Sequence, residues 1–281
     1  MKKIVAFTSS NLRHKCFRVF LSNFKNIHVL KTFSEKGNNL KNLLKKKEAE
    51  GQNISLELEH LFLRDQSEID FFDSYLKSVK DNSNNFYCEK GYISTEECLK
   101  KIKILNPDLI IVYGSSILKG NILKEFKNRI LNVHLGLSPY YRGGGTNYFP
   151  FVNNEPEYAG ATFMFLDEGI DTGEIIHQIR SRIYSGDNFH QIGNRLILDM
   201  FKIYCQIILN IKKIKKITIN YKNQKKFLYK RKDFTLQTLK KLHNNFNKGM
   251  INDYLKNKRK RNQIVPLVEQ KWVKKIDYNH I

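Results

Sequence analysis

Apolar positions along this chain recur at two periods, and each period predicts an element. Ile4 to Phe7 is a short apolar run and predicts a first strand. From Asn11 to Phe24, Leu12, Phe17, Phe20 and Leu21 recur at helical spacing, and Ile27 to Phe33 predicts a second strand. Strand, helix, strand of this length is a βαβ unit, which means parallel strands. Leu56 to Val79 repeats as a helix, with Leu58, Leu61, Phe62, Ile69, Phe72 and Leu76 as the expected core face. His60, Arg64 and Glu68 share one stripe of it. That stripe is either a solvated face with an Arg64–Glu68 pair or one wall of a substrate cleft. Thr95 to Leu105 predicts a helix capped by Thr95 or Ser94 and broken by Asn106-Pro107. The apolar run from Asp108 to Tyr113 suits a buried parallel strand. A short helix from Asn121 to Phe126 and strands at Ile130 to Leu135, Ala161 to Leu166 and Glu174 to Ile183 follow. Asp187 is expected to cap a long helix from Asn188 to Ile211. The sum is an α/β fold of Rossmann-like type, with a mostly parallel sheet and helices on both faces.

Beyond residue 212 the pattern changes. Ile217 to Ile219 and Lys226 to Tyr229 predict a small hairpin, and Leu236 to Phe246 and Met250 to Leu255 predict short amphipathic helices. Lys256 to Arg261 is a basic run that suits a solvated helix end. The expected division is a main domain over 1–212 and a small basic α+β extension over 213–281. Residues 36–86 form a helical insertion or substrate-side segment, in which Asn39 to Glu50 is a basic exposed helix or a disordered run.

A chain of 281 residues is long enough for such a core. Its net charge of +22 suits a polyanionic partner: nucleic acid, a nucleotide-linked substrate or an anionic membrane. The abundance of Lys, Asn and Ile also matches an A- and U-rich coding sequence, which makes genome composition the competing explanation. Cys16, Cys88, Cys98 and Cys205 are scattered without a Cys-x-x-Cys pair. That spacing argues against a zinc site and a disulfide framework, and for a reducing cytoplasm. MKKIVAFTSS has too short an apolar run for a signal peptide. Asp199, Lys202 and Gln206 interrupt Leu196 to Leu209, so that stretch predicts a helix face and no membrane span. No RNP motif, zinc finger or helix-turn-helix is evident, so a non-catalytic nucleic-acid-binding protein stands as the alternative.

The chemistry concentrates between Leu131 and Glu174. Residues two apart in a strand point to the same side, so Asn132 and His134 emerge together before Gly136 and Ser138-Pro139 end the strand. The loop Asp167-Glu168-Gly169-Ile170-Asp171-Thr172-Gly173 can turn sharply at its glycines and bring Asp171 to His134. Such a carboxylate favours the charged imidazole. Tyr140 to Asn147 contains three consecutive glycines, which suit close backbone approach or a mobile lid. Arg142 in that loop suits a phosphate, a carboxylate or a loop salt bridge. The first turn, Thr8-Ser9-Ser10-Asn11, lacks the glycines of a dinucleotide cradle, and Ser9, Ser10 or Asn11 is expected to cap the helix.

Asn132-x-His134, Ser138-Pro139, Arg142-Gly143-Gly144 and Asp167-x-Gly169-x-Asp171-x-Gly173 together resemble the signature of the folate-dependent formyltransferases. The resemblance covers roughly residues 100–180 strongly and the first 100 weakly. It implies transfer of a formyl group from 10-formyltetrahydrofolate to a primary amine, without a metal. Asn132, His134 and Asp171 are then the catalytic trio. Folate contacts are expected at Ser115, Ser116, Ile117, Leu118, Asp167 and Gly169, and acceptor contacts at Arg142, Gly143, Ser10 and Asn11. The reaction develops an oxyanion that needs two donors. Asn132 and a protonated His134 supply them, while Asp171 holds His134 charged or oriented and helps move the amine proton. In glycinamide ribonucleotide formyltransferases the first turn contains glycine, and the tail here differs from the C-terminal barrel of methionyl-tRNA formyltransferase. The favoured acceptor is therefore an amino sugar on a nucleotide carrier or a related small, phosphate-bearing amine. The expected setting is the cytoplasm, with a homodimer through the C-terminal helices as an option and nucleic acid as the minor partner class.

Overall fold

The apolar runs lie side by side in one seven-stranded sheet, described by a computed structural model that covers residues 1–37, 40–51, 53–145, 147–219, 221 and 226–274. β1 (Lys2–Ser9), α1 (Leu12–Asn23) and β2 (Ile27–Glu35) form the expected parallel βαβ unit. α2 (Leu40–Ala49) and α3 (Ser55–Ser78) lead to β3 (Asn85–Cys88), which pairs parallel with β2. α4 (Glu96–Leu105) starts at Thr95, whose side chain accepts from Cys98 N, and feeds β4 (Leu109–Tyr113). Then come α5 (Asn121–Glu125), β5 (Ile130–His134), β6 (Tyr141–Gly143), α6 (Phe149–Val152), β7 (Gly160–Phe165), β8 (Ile175–Arg180) and α7 (Phe189–Leu209). β9 (Phe227–Tyr229), α8 (Leu236–Asn247) and α9 (Met250–Gln263) complete the order. The sheet runs β3-β2-β1-β4-β5-β7-β8, in which β7 alone runs antiparallel to its neighbours β5 and β8.

Strand periodicity divides the core. Leu109, Ile111, Tyr113, Leu131 and Val133 pack with Phe17, Phe72, Phe201 and Tyr204 of α1, α3 and α7. Ile110, Val112 and Ile130 face the other way, onto Cys98, Leu99, Ile102 and Ile122 of α4 and α5. Asn132 and His134 follow Ile130 at period two, so they emerge on the α4–α5 side of the sheet.

Five local expectations change. On α3, Leu61 and Phe72 are buried, but Leu58, Phe62 and Ile69 face solvent. The inward seam is partly polar instead. Buried Glu68 pairs with Arg13, and Ser67 accepts from Asn194 at 2.9 Å. Partners on α1 and α7 set the rotation of this helix, which hydrophobicity alone does not report. Arg64 accordingly pairs with its neighbour Asp65 at 2.6 Å and not with Glu68. The long helix α7 is capped by Asn188 in a reciprocal box with Gln191, because Asp187 is engaged by Arg195 at 2.7 Å. Asn11 occupies the N-cap position of α1 without a side-chain cap bond. Residues 217–219 form no strand, and β9 pairs parallel with β6 instead of closing a hairpin. The expected basic helix begins at Leu40 as α2, and Asn39 lies outside the described residues.

The segment after residue 212 is built into the rest. Leu239, Leu242, Met250 and Tyr254 share one core with Tyr140, Tyr141, Tyr148, Phe149 and Phe151. Val268 exchanges backbone and side-chain bonds with Gln178 at 2.7 and 3.0 Å, and Gln270 N donates to His177 Nδ1 at 3.0 Å, which covers the edge presented by β8. No helix among the described residues is long and apolar enough to cross a membrane. The apolar stretch of α7 is core, with Leu196, Met200, Tyr204 and Ile207 fully buried.

Candidate functional site

In an open α/β sheet the carboxyl ends of the parallel strands form a crevice where ligands bind. β5 ends there on His134, whose side chain is 7% exposed. Its Nδ1 lies 3.2 Å from Asp171 Oδ2, and its Nε2 faces the Tyr141 carbonyl at 3.0 Å. The expected turn of the glycine loop towards His134 is therefore present. A neutral imidazole donates from one nitrogen only, so the imidazolium alone satisfies both acceptors. The Nδ1 contact is longer than a charge-assisted hydrogen bond of about 2.7–2.9 Å. Nε2 is thus the more tightly anchored edge of the ring.

Asp171 sits at φ +51°, a left-handed conformation that costs a non-glycine residue free energy. Its Oδ2 also accepts from Gly143 N at 2.9 Å, which fixes the carboxylate in that posture. Asn132, two residues before His134, points to the same side of β5. No described residue hydrogen-bonds its side chain. The turn after β5 is braced from β7 and β8. Thr162 Oγ1 donates to Gly136 O at 2.6 Å and accepts from Ser138 N at 3.0 Å, and Gln178 Nε2 donates to Ser138 O at 2.7 Å.

The triple-glycine loop is not a free lid among its described residues. β6 pairs with β9 in register Arg142 to Leu228, and Gly144 N donates to Tyr229 O at 2.9 Å. Gly143 has φ +88°, and a Cβ there would collide with the Tyr229 carbonyl. A Cβ on Gly145 would collide with the Phe234 ring. Close backbone approach explains these glycines, and Thr146 lies outside the described residues. Gly143→Ala is expected to lower unfolding stability by about 1–3 kcal/mol. A urea midpoint unchanged from the parent would show that the ribbon is loose.

The other predicted residues divide. Ser115, Ser116 and Ile117 lie on the turn after β4, at the same sheet edge as His134. Ser116 is already engaged: its N–H and hydroxyl donate to buried Glu35 at 2.5 and 2.8 Å. Ile117 is 58% exposed, whereas Leu118 is packed in the core beside α4 and α5, so only its backbone can serve a ligand. Asp167 accepts from Gly169 N at 3.0 Å and from Thr172 Oγ1 at 2.8 Å, so it shapes the loop from within. Ser10 and Asn11 follow β1 at the same edge, and Ser10 Oγ accepts from Gly37 N at 3.0 Å. Arg142 has no ion pair with a described carboxylate, and its Nε is buried without a partner.

Three residues of the site carry no sequence signal that marks them. Glu35 ends an ordinary strand, Tyr141 contributes a backbone carbonyl, and Tyr229 is remote in the chain. All four cysteines are free and buried, and burial pushes the Cys16 and Cys98 thiols up to about 12, which leaves them protonated. No group of His, Cys, Asp and Glu among the described residues is arranged to hold a metal ion.

A sequence model of the formyl transferase family matches residues 25–208. Methionyl-tRNA formyltransferase of Finegoldia magna is 32% identical over 108 residues, which is 38% of this chain and 34% of that protein. The match thus spans about a third of that relative's length. By fold, the chain is similar to the phosphoribosylglycinamide formyltransferase of Anaplasma phagocytophilum, with a TM-score of 0.54 and 15% identity over 82% of this chain and 100% of that one. It is also similar to the formyltransferase PseJ of Anoxybacillus kamchatkensis, solved with UDP-4,6-dideoxy-4-formamido-L-AltNAc and tetrahydrofolate. That pair has a TM-score of 0.50 and 21% identity over 85% and 97% of the two chains. The matched span contains every strand from β2 to β8 and all three of Asn132, His134 and Asp171. The chain belongs to the formyl transferase family.

Proposed function

We propose that this protein transfers a formyl group from 10-formyltetrahydrofolate to a primary amine. The observation that carries this is the His134–Asp171 contact at 3.2 Å, on the side of β5 that also presents Asn132. Attack of an amine on the formyl carbon places negative charge on the formyl oxygen. The Asn132 amide and the Nδ1 edge of His134 are the donors for that oxygen. Asp171 orients the imidazole and accepts the proton of the attacking nitrogen, directly or through a water. The proton then passes to the departing folate nitrogen as the tetrahedral intermediate collapses. Exposed Ile117 and the backbone of residues 114–118 offer an apolar edge with peptide donors and acceptors, which suits a flat, polar-rimmed ring such as a pterin.

The favoured acceptor is an amino sugar on a nucleotide carrier. Arg142, whose Nε has no partner among the described residues, lies on the ribbon beside the proposed catalytic pair, and residues 213–281 carry twenty Lys and Arg against four Asp and Glu. A coding bias alone would spread that charge along the chain. Its concentration in the segment that reaches the site favours an acceptor bearing phosphates. Fold similarity to PseJ supports the same class. Methionyl-tRNA is the second reading, supported by the sequence relatives and by the same basic segment. Glycinamide ribonucleotide is the third.

Calorimetry with 5-formyltetrahydrofolate, a stable reduced folate, tests the reaction class. Binding at roughly micromolar strength is expected, at about −8 kcal/mol. A folded sample that binds no folate would remove the enzyme reading and bring the nucleic-acid-binding alternative forward.

A further inference from the structure

We infer that the segment after residue 212 is the positioning frame of the catalytic pair, and that Tyr229 is its central residue. The catalytic role of the pair rests on the formyl-transfer reading, whereas the frame itself rests on geometry. β6 is three residues long, yet it holds both members of the pair. The Tyr141 carbonyl accepts from His134 Nε2 at 3.0 Å, and Gly143 N donates to Asp171 Oδ2 at 2.9 Å. Any shift of β6 moves the ring and the carboxylate together.

β9 is the strand partner of β6 in this two-stranded ribbon. So short a ribbon has little stability of its own, and packing has to hold it. Tyr229 supplies that packing in three ways. Its carbonyl accepts from Gly144 N at 2.9 Å. Its ring stacks on Phe149 with centroids 3.6 Å apart and planes within 2°, and lies 5.9 Å from the Tyr141 ring. Its hydroxyl accepts from Asn153 Nδ2 at 2.9 Å, and the same amide reaches the Tyr141 hydroxyl at 2.9 Å. Tyr141 in turn donates to Glu155 at 2.5 Å. Burial and the neighbouring Glu155 push the Tyr141 phenol well up, which keeps it neutral and donating. Phe227 N adds a bond to Tyr140 O at 2.7 Å. Tyr229 is thus a positioning residue, which acts on the pair through Tyr141 and Gly143.

The test uses full-length protein with Tyr229→Ala, Tyr229→Phe and Glu155→Gln. The first readout is the His134 Nε2–H signal in 15N-histidine NMR, which needs no substrate. The second is kcat and KM for formyl transfer, beside folate affinity. Tyr229→Ala is expected to abolish slow exchange at Nε2–H and to lower kcat about tenfold, with KM and folate affinity nearly unchanged, as for a modest misplacement of catalytic groups. Tyr229→Phe keeps the stack and should stay within about threefold of the parent. Should Tyr229→Ala not fold, Glu155→Gln carries the test, with a smaller loss of Nε2–H protection in the same direction. A protected Nε2–H and parental kcat in these variants would overturn the frame and leave the enzyme reading intact. Loss of Nε2–H protection in a protein that binds no folate would uphold the frame and remove the enzyme reading.

Discussion

His134→Ala and Asp171→Ala are each expected to lower turnover at least ~100-fold, with the fold retained. The two variants remove different things. On the proposed mechanism, loss of His134 removes one of the two donors to the oxyanion. Without Asp171, the ring loses its 3.2 Å partner and Gly143 N loses its 2.9 Å bond, and on the proposed mechanism the amine loses its proton acceptor. Asp171→Asn separates these effects, because its amide oxygen still accepts from Gly143 but carries no charge. Turnover in Asp171→Asn should stay close to that of Asp171→Ala if charge matters, and return towards the parent if anchoring matters. Circular dichroism and single-turnover formyl transfer decide the matter. Near-parental turnover in His134→Ala or Asp171→Ala, in folded protein, would remove that residue from the mechanism.

Stability is expected to fall steeply as pH drops from about 6.5 to 4. The cause is imidazole burial. Desolvation holds His60 down at about 4, His190 at about 3 and His177 at about 4, and His14 well below its ordinary value. His60 of α3, His190 of α7 and His243 of α8 also form a cluster, with the His60 ring 4.7 Å from His190 and 6.3 Å from His243. Arg64 adds positive charge to it, and Asp65 opposes this weakly at His190. The folded state excludes protons that the unfolded chain binds at its ordinary pKa of 6.5. The stabilisation is therefore complete above that pH and drains away below it, at about 1.4 kcal/mol per pH unit for each imidazole. Urea unfolding from pH 7 to pH 5 measures the slope. His190→Gln should flatten it by about one proton, and an unchanged slope would place the acid lability elsewhere.

Much of this architecture was legible in the residue pattern. The βαβ unit, the wholly buried β4, the Thr95 cap and the pairing of Asp171 with His134 all follow from short-range signals: period, turn residues and capping residues. The differences share one cause, a partner that lies outside the local pattern. The inward face of α3 is set by Arg13 and Asn194, which no periodicity within α3 reports. Arg195 draws Asp187 away from the cap and leaves it to Asn188. The glycines at 143 and 145 read equally well as a lid or a close approach until Tyr229 and Phe234 arrive against them. Glu35 and Tyr141 enter the site through contacts that their own neighbours in sequence do not foreshadow.

The parallel pairing of β6 with β9 also has a consequence in time. His134 and Asp171 are made well before Tyr229, the last of the three by 95 and 58 positions of numbering. At about 5–20 residues per second, a ribosome leaves His134 waiting roughly 5–20 s for the strand that steadies it. The sheet through β8 can therefore form while the pair is still unheld. The contacts that steady the pair arrive late in synthesis, after the fold that carries it.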